Sequence, residues 1–156
     1  MEYSHGDAEL IEQPIGYWSW AAYRAVVTRT RAALAGIGTT QPQWWVLAQV
    51  AGAGADARGG MPRAEVSRIL RDYLDTGREA LEAEIDTTIV QGWLTEDALG
   101  VLRLTADGRA FHAEAAALQR ELWEERHEGV SDEEYLITLR TLQRFIHNTG
   151  GRAWHH

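Results

Sequence analysis

Between Pro62 and Arg109 the apolar residues change period, and few folds accommodate that change. Val66, Ile69, Leu70, Tyr73 and Leu74 fall at i, i+3, i+4, i+7 and i+8, one stripe along an α-helix. Asp75-Thr76-Gly77 breaks the pattern with a capping residue and a glycine. Leu81, Ile85 and Ile89 form a second stripe, which ends at Gly92, where glycine suits a left-handed helix cap. Trp93-Leu94-Thr95 and Val101 to Thr105 have strand composition and are joined across Asp97 to Gly100. The expected order is helix, turn, helix, hairpin.

That order is the layout of a winged helix, so the fold class expected is mainly α with a small β-hairpin. Tyr17 to Leu34 reads as a helix that is apolar around most of its circumference, with Trp20, Tyr23, Val27 and Leu34 on one line. A helix of that kind needs two partners, which points to burial between subunits as well as within one. Thr40 and Gln43 fit a capping box for a helix running to about Ala51, with Pro42 tolerated in its first turn. The glycine-rich loop from Gly52 to Gly60 lacks the preceding strand and the G-x-x-G continuation that a phosphate cradle requires. Ala106 to Glu128 is a long helix ended by Gly129. Ser131 and Glu134 cap a last helix carrying Tyr135, Leu139, Leu142 and Ile146 at helical spacing.

Gly92-Trp93-Leu94 followed by Leu104-Thr105-Ala106-Asp107-Gly108-Arg109 resembles the G-L/W-L…L-T-x-x-G-R pattern of the MarR family of transcription regulators. Thr40 to Leu47 resembles that family's T-x-x-Q-W-x-V-L helix. The resemblance runs over roughly residues 15–148. It implies an N-terminal tail over 1–14 and a winged-helix domain over 15–149, with a C-terminal tail over 150–156. Within the domain, helices 15–34 and 106–149 would form a dimerisation region around a lobe at 40–105. In such proteins the helix after the turn enters the major groove of DNA, and the wing reaches the minor groove with arginine.

Two departures from that pattern stand out. The expected groove helix sets Arg78 against Glu79, Glu82, Glu84 and Asp86, and Glu82-Ala83 occupies the place where relatives often have Thr-Arg. The wing offers Glu96, Asp97, Ala98, Leu99 and Gly100 where D-x-R is common. Carboxylates repel phosphates, and phosphate contacts supply most of the affinity for DNA. DNA contacts are therefore expected mainly from Arg58, Arg63, Ser67, Arg68, Arg71, Arg78 and Arg103, with Thr87 on the groove side. Trp18 and Trp44-Trp45 lie in the two helices that border the family's effector crevice. With Tyr23 and His112 they are the expected site for a small aromatic or phenolic ligand; packing in the core or interface is the competing role for each ring.

Composition bounds the remaining classes. The 156 residues include fifteen arginines, no lysine and 23 acidic residues, giving a net charge of −8, so any DNA-binding face must concentrate its cations locally. There is no cysteine for disulfide or thiolate chemistry. No apolar run suggests a membrane span, and the polar start predicts a cytoplasmic protein. His112-x-Glu114 and the run from Glu124 to Glu128 match no metal or triad spacing, and His127 is expected to be solvated. No metal, cofactor or enzymatic activity is expected. The sequence points to a homodimeric regulator of the MarR type that binds double-stranded DNA and responds to a small aromatic ligand. The alternative is a winged-helix relative that has lost groove reading and acts as a ligand- or protein-binding module.

Overall fold

Side-chain caps at Thr40, Thr105 and Ser131 set three of the helix starts. The structure is a computed structural model describing residues 4–53, 60–71 and 78–153, except for the side chains of Arg78 and Glu79. Tyr73, Leu74, the turn at Asp75 to Gly77, Arg58 and the terminal Trp154 to His156 lie outside the described residues. Thr40 begins helix α3 (Gln41–Gly52), following α1 (Asp7–Leu10) and α2 (Ile15–Gly36). Its hydroxyl accepts from the Gln43 amide at 3.3 Å, and Gln43 Oε1 accepts from the Thr40 amide at 3.2 Å. Both donors would otherwise be orphaned. Within the segment expected to be a loose tail, α1 forms one turn, with Glu9 accepting from the Gly6 amide at 3.1 Å.

The lobe that follows contains β1 (Met61–Pro62), α4 (Arg63–Leu70), α5 (Arg78–Val90), β2 (Leu94–Glu96) and β3 (Val101–Leu104). The expected two-stranded wing is thus part of a three-stranded antiparallel sheet of order β1-β3-β2. Met61 pairs with Leu102, and Leu94 pairs with Leu104. Two residues, one of them proline, carry no strand periodicity, so β1 is illegible in the sequence. Proline is tolerated there because β1 is an edge strand. At the wing turn, Asp97 Oδ1 accepts from the amides of Leu99 and Val101 at 2.9 and 3.0 Å, and Gly100 sits at φ +73°.

One core holds this lobe together. Val46, Leu47 and Val50 of α3 pack with Val66 and Leu70 of α4 and with Leu81 and Ile85 of α5; Leu94 and Leu102 of the sheet complete the cluster. Each of these larger side chains contributes on the order of 1.5–3 kcal/mol through burial. Helix α6 (Ala106–His127) joins the lobe at its first turns, where Phe111 stacks on Trp93 with centroids 3.8 Å apart.

By compactness the chain divides into Met1–Arg120 and Glu121–His156. The second unit contains the end of α6 and α7 (Asp132–Asn148), with the expected Ser131–Glu134 capping box in place. His127 is not solvated as expected. Its ring stacks on Trp123 at 4.0 Å, meets Tyr135 edge-on at 4.7 Å, and donates from Nδ1 to the Trp123 carbonyl at 2.7 Å. The apolar body of the imidazole outweighed the charges beside it in sequence. No residue of α7 is buried, and Leu136, Ile137, Leu139 and Phe145 are exposed.

The Leu104-Thr105-Ala106-Asp107-Gly108-Arg109 motif acquires a structural reason. Thr105 accepts from the Gly108 amide at 2.9 Å and donates to the Gly92 carbonyl at 2.7 Å, while Arg109 Nη1 donates to the Leu104 carbonyl at 2.8 Å. Gly108 is buried, and a Cβ built there would sit 1.9 Å from the Trp93 carbonyl oxygen. Gly108→Ala is therefore expected to displace α6 from the lobe and to destabilise the protein by about 1–3 kcal/mol or more, the range for overpacking. Urea denaturation followed by tryptophan fluorescence measures it, and a midpoint equal to that of the parent protein would refute the close-approach argument.

Candidate nucleic-acid interface

The electrostatics of the lobe turn on Arg63, the first residue of α4. Its Nη1 donates to Glu82 Oε2 at 3.0 Å, and its Nη2 donates to Asp86 Oδ1 at 2.7 Å and Glu96 Oε2 at 2.8 Å. Nε completes a two-point contact with Glu96 at 3.0 Å. The planar fork suits this, since its several donors can serve carboxylates from different directions. The arginine side chain is only 21% exposed. Hydrogen bonding to Glu96 does most to hold the guanidinium above the usual arginine range; partial burial opposes it, and Asp86 and Glu82 add to it. One side chain thus ties α4 to two positions on α5 and to the wing strand β2.

Two carboxylates of the expected groove helix are engaged by neighbouring helices. Glu82 also accepts from Ser67 Oγ at 2.7 Å, so its two oxygens are engaged on the α4 side. Glu84 accepts from Gln43 Nε2 at 2.8 Å, joining α5 to the start of α3. Gln43 is buried, and its Oε1 accepts from the Thr39 hydroxyl at 3.1 Å. Glu82 and Glu84 thus serve neighbouring helices, while Asp86 remains exposed on the outward face and the Glu79 side chain lies outside the described residues. Periodicity placed the helix correctly, but the reach of Glu82 and Glu84 to neighbouring helices depends on tertiary placement. The outward residues Ala80, Ala83, Thr87 and Val90 are exposed and uncharged, and Asp86 is exposed but paired.

The other expected DNA contacts fall into two groups. Arg68 forms a two-point contact with Glu65, at 2.6 and 2.9 Å, and Arg103 meets Asp97 at 2.5 Å. Each arginine holds its carboxylate partner below the usual range. These are exposed pairs, worth little in water and readily exchanged for another anion. Arg71 caps the end of α4 and is exposed. Ser67 and Arg63 belong instead to the internal bracket. Thr87 donates its hydroxyl to the Ala83 carbonyl at 2.8 Å. Arg58 and the Arg78 side chain lie outside the described residues.

Of the expected ligand-binding residues, Trp44 and His112 are brought together, stacked 5.3 Å apart at 16°. Burial holds the His112 imidazole below the ordinary histidine range. Trp45 is partly buried against the lobe core, which favours packing over ligand contact for that ring. Trp18 packs edge-on against His5 and Tyr17, and Tyr23 is 61% exposed on α2. An open cavity of about 550 Å³ at the end of α7 is lined by none of these five. Among the described residues no group of His, Asp and Glu could hold a metal ion, and no helix is long and apolar enough to cross a membrane.

Replacing Arg63 with methionine leaves three carboxylates facing one another without their cation. A loss of about 1–3 kcal/mol is expected, the cost of stranding charged partners in a partly buried site. In a Glu82→Gln background the same substitution should cost measurably less; strict additivity in urea denaturation would show that the two groups do not interact. For His112, the folded value lies below the unfolded one, so the neutral form is favoured on folding. That contribution is full above the unfolded value of about 6.5 and is lost as pH falls through the folded value. The melting temperature should fall between about pH 7 and pH 5. His112→Phe, which keeps a ring against Trp44, should flatten that fall; an unchanged profile would remove His112 as a cause.

No family model and no curated protein matches the chain. Solved structures do. A MarR family protein of Mycobacterium tuberculosis in complex with DNA superposes with a TM-score of 0.67 at 20% identity, covering 86% of this chain and 98% of that one. The same protein in complex with p-aminosalicylic acid gives 0.63 at 20% identity, covering 85% and 98%. The reduced form of MarR from E. coli gives 0.64 at 19%, covering 86% and 93%. CouR from Rhodococcus jostii RHA1 bound to p-coumaroyl-CoA gives 0.67 at 17%, covering 85% and 91%. The chain has the winged-helix fold of these MarR-family proteins.

Proposed function

We propose that the chain is a cytoplasmic DNA-binding transcriptional regulator of the MarR type, a homodimer modulated by a small aromatic or phenolic ligand. The observation that carries this reading is the lobe itself: α4, α5 and the wing follow the fold of a protein solved with DNA, over 98% of that protein's length. Dimerisation through residues 15–34 and 106–149 is supported by the exposed Trp20, Tyr23 and Val26 of α2 and by the uncovered apolar side chains of α7. Exposed apolar surface on this scale marks an interaction site. Ligand modulation is supported by the Trp44–His112 pair and by the p-aminosalicylic acid and p-coumaroyl-CoA found in two structural neighbours. Catalysis has no place in this reading.

The engagement of Arg63, Arg68 and Arg103 by carboxylates favours a second reading, a winged-helix relative that acts through ligand or protein contacts without reading DNA. Selection from a random duplex pool separates the two. The regulator reading expects an enriched, two-fold symmetric site bound by a dimer in sedimentation. It also expects affinity to fall with salt. Arg68→Ala or Arg71→Ala should reduce the slope of log affinity against log salt by about 0.9 for each phosphate that the variant leaves unneutralised. A pool with no enrichment at physiological salt would favour the second reading.

A further inference from the structure

We infer that the first turn of α3 is a junction through which the Trp44–His112 ring pair governs the placement of α5, with Gln43 as the positioning residue. The inference rests on the ligand-modulation reading above and gives that modulation a route. Three side chains of this one turn leave it for three different helices. Gln41 Oε1 accepts from Arg31 Nε of α2 at 3.1 Å. Gln43 Nε2 donates to Glu84 Oε2 of α5 at 2.8 Å. Trp44 stacks on His112 of α6, with ring centroids 5.3 Å apart and planes at 16°. Adjacent residues of a helix stand about 100° apart around its axis and are fixed to one backbone, so Gln43 and Trp44 face different neighbours but move together.

Gln43 is held too firmly to absorb a shift of Trp44. It is buried, and its side-chain amide is used at both ends. Oε1 accepts from the Thr39 hydroxyl at 3.1 Å and from the Thr40 amide at 3.2 Å, the second of these belonging to the capping box at the helix start. The Thr40 hydroxyl, the other half of that box, also donates to Glu84 Oε2 at 3.4 Å. Both halves of the cap are thus joined to one carboxylate oxygen on α5. Breaking the join would strand a buried amide donor, so a displacement of the turn carries Glu84 with it. The apolar contacts between α3 and α5 are non-directional and transmit such a displacement poorly. The Gln43–Glu84 bond is directional, and it lies one residue from the Trp44 ring. An aromatic ligand that competes with either ring of the stack would therefore act on α5 through this turn.

The test needs neither DNA nor an identified ligand, because truncating one ring disturbs the stack directly. Hydrogen–deuterium exchange is followed in the full-length protein on the amides of α5 relative to those of α4, since a global loss of stability would accelerate both together. His112→Ala should change the ratio of α5 to α4 exchange by about two- to thirtyfold, the range for sites coupled through packed and hydrogen-bonded side chains. Trp44→Phe, a smaller disturbance of the same stack, should move the ratio in the same direction. In Glu84→Ala, which removes the acceptor and leaves a good helix former, neither ring substitution should move it. Glu84→Gln keeps an oxygen for Gln43 and should restore the response, which separates the hydrogen bond from the charge. A ratio that ignores both ring substitutions in the parent protein would overturn the inference, as would an equal response in Glu84→Ala. Neither result bears on DNA or ligand binding, which duplex selection and a titration of tryptophan fluorescence with p-aminosalicylic acid measure separately.

Discussion

A single guanidinium facing three carboxylates organises the lobe. Arg63 reaches Glu82 and Asp86 on α5 and Glu96 on β2, while its own amide donates to the Gly100 carbonyl at the wing turn. Apolar packing between α3, α4, α5 and the sheet is non-directional and would tolerate small rotations of α5 about its axis. The Arg63 contacts are directional, so they fix which side of α5 faces outward. Partial shielding from water makes these pairs more than surface ornament, because screening weakens as solvent is excluded. Three carboxylates also exceed one cation, so the arrangement depends strongly on that cation.

The same bracket changes the meaning of the acidic helix. Read along the chain, α5 has an excess of carboxylates where a groove-binding helix would carry cations. Read in three dimensions, Glu82 and Glu84 serve α4 and α3, and among the described side chains Ala80, Ala83, Thr87 and Val90 are exposed beside the paired Asp86. Any phosphate affinity would then come from the periphery. Arg68 and Arg103 are held in exposed pairs that another anion can replace, whereas Arg63 is committed to three partners.

The residues that announced the fold most clearly have a structural role. Thr105, Gly108 and Arg109 connect the end of the wing, the turn after α5 and the start of α6 through hydrogen bonds and one very close backbone approach. Gly92, at φ +77°, supplies the left-handed turn that leads into the same junction. Such positions constrain backbone geometry whatever the protein binds. Recognition of the fold from them therefore carries less information about ligand or DNA sequence than the motif's clarity suggests.

By itself the sequence determined what local chemistry controls. The capping boxes at Thr40–Gln43 and Ser131–Glu134, the glycine stops at Gly92 and Gly129, and the apolar stripe of α5 with the described part of that of α4 all act within a few residues, and each is found where its pattern places it. Contacts between distant positions were decided only by the tertiary structure. Strand β1 exists because Met61 finds Leu102, forty-one residues away, and not because two residues prefer extension. His127 enters an aromatic cluster because the turn after α6 delivers Tyr135 to it. Arg63 serves as an internal tie rather than a surface cation because folding brings Glu82, Asp86 and Glu96 within reach of one fork. A charged side chain has the same formula in either role; the positions of its partners, set by packing of the whole lobe, decide which role it takes.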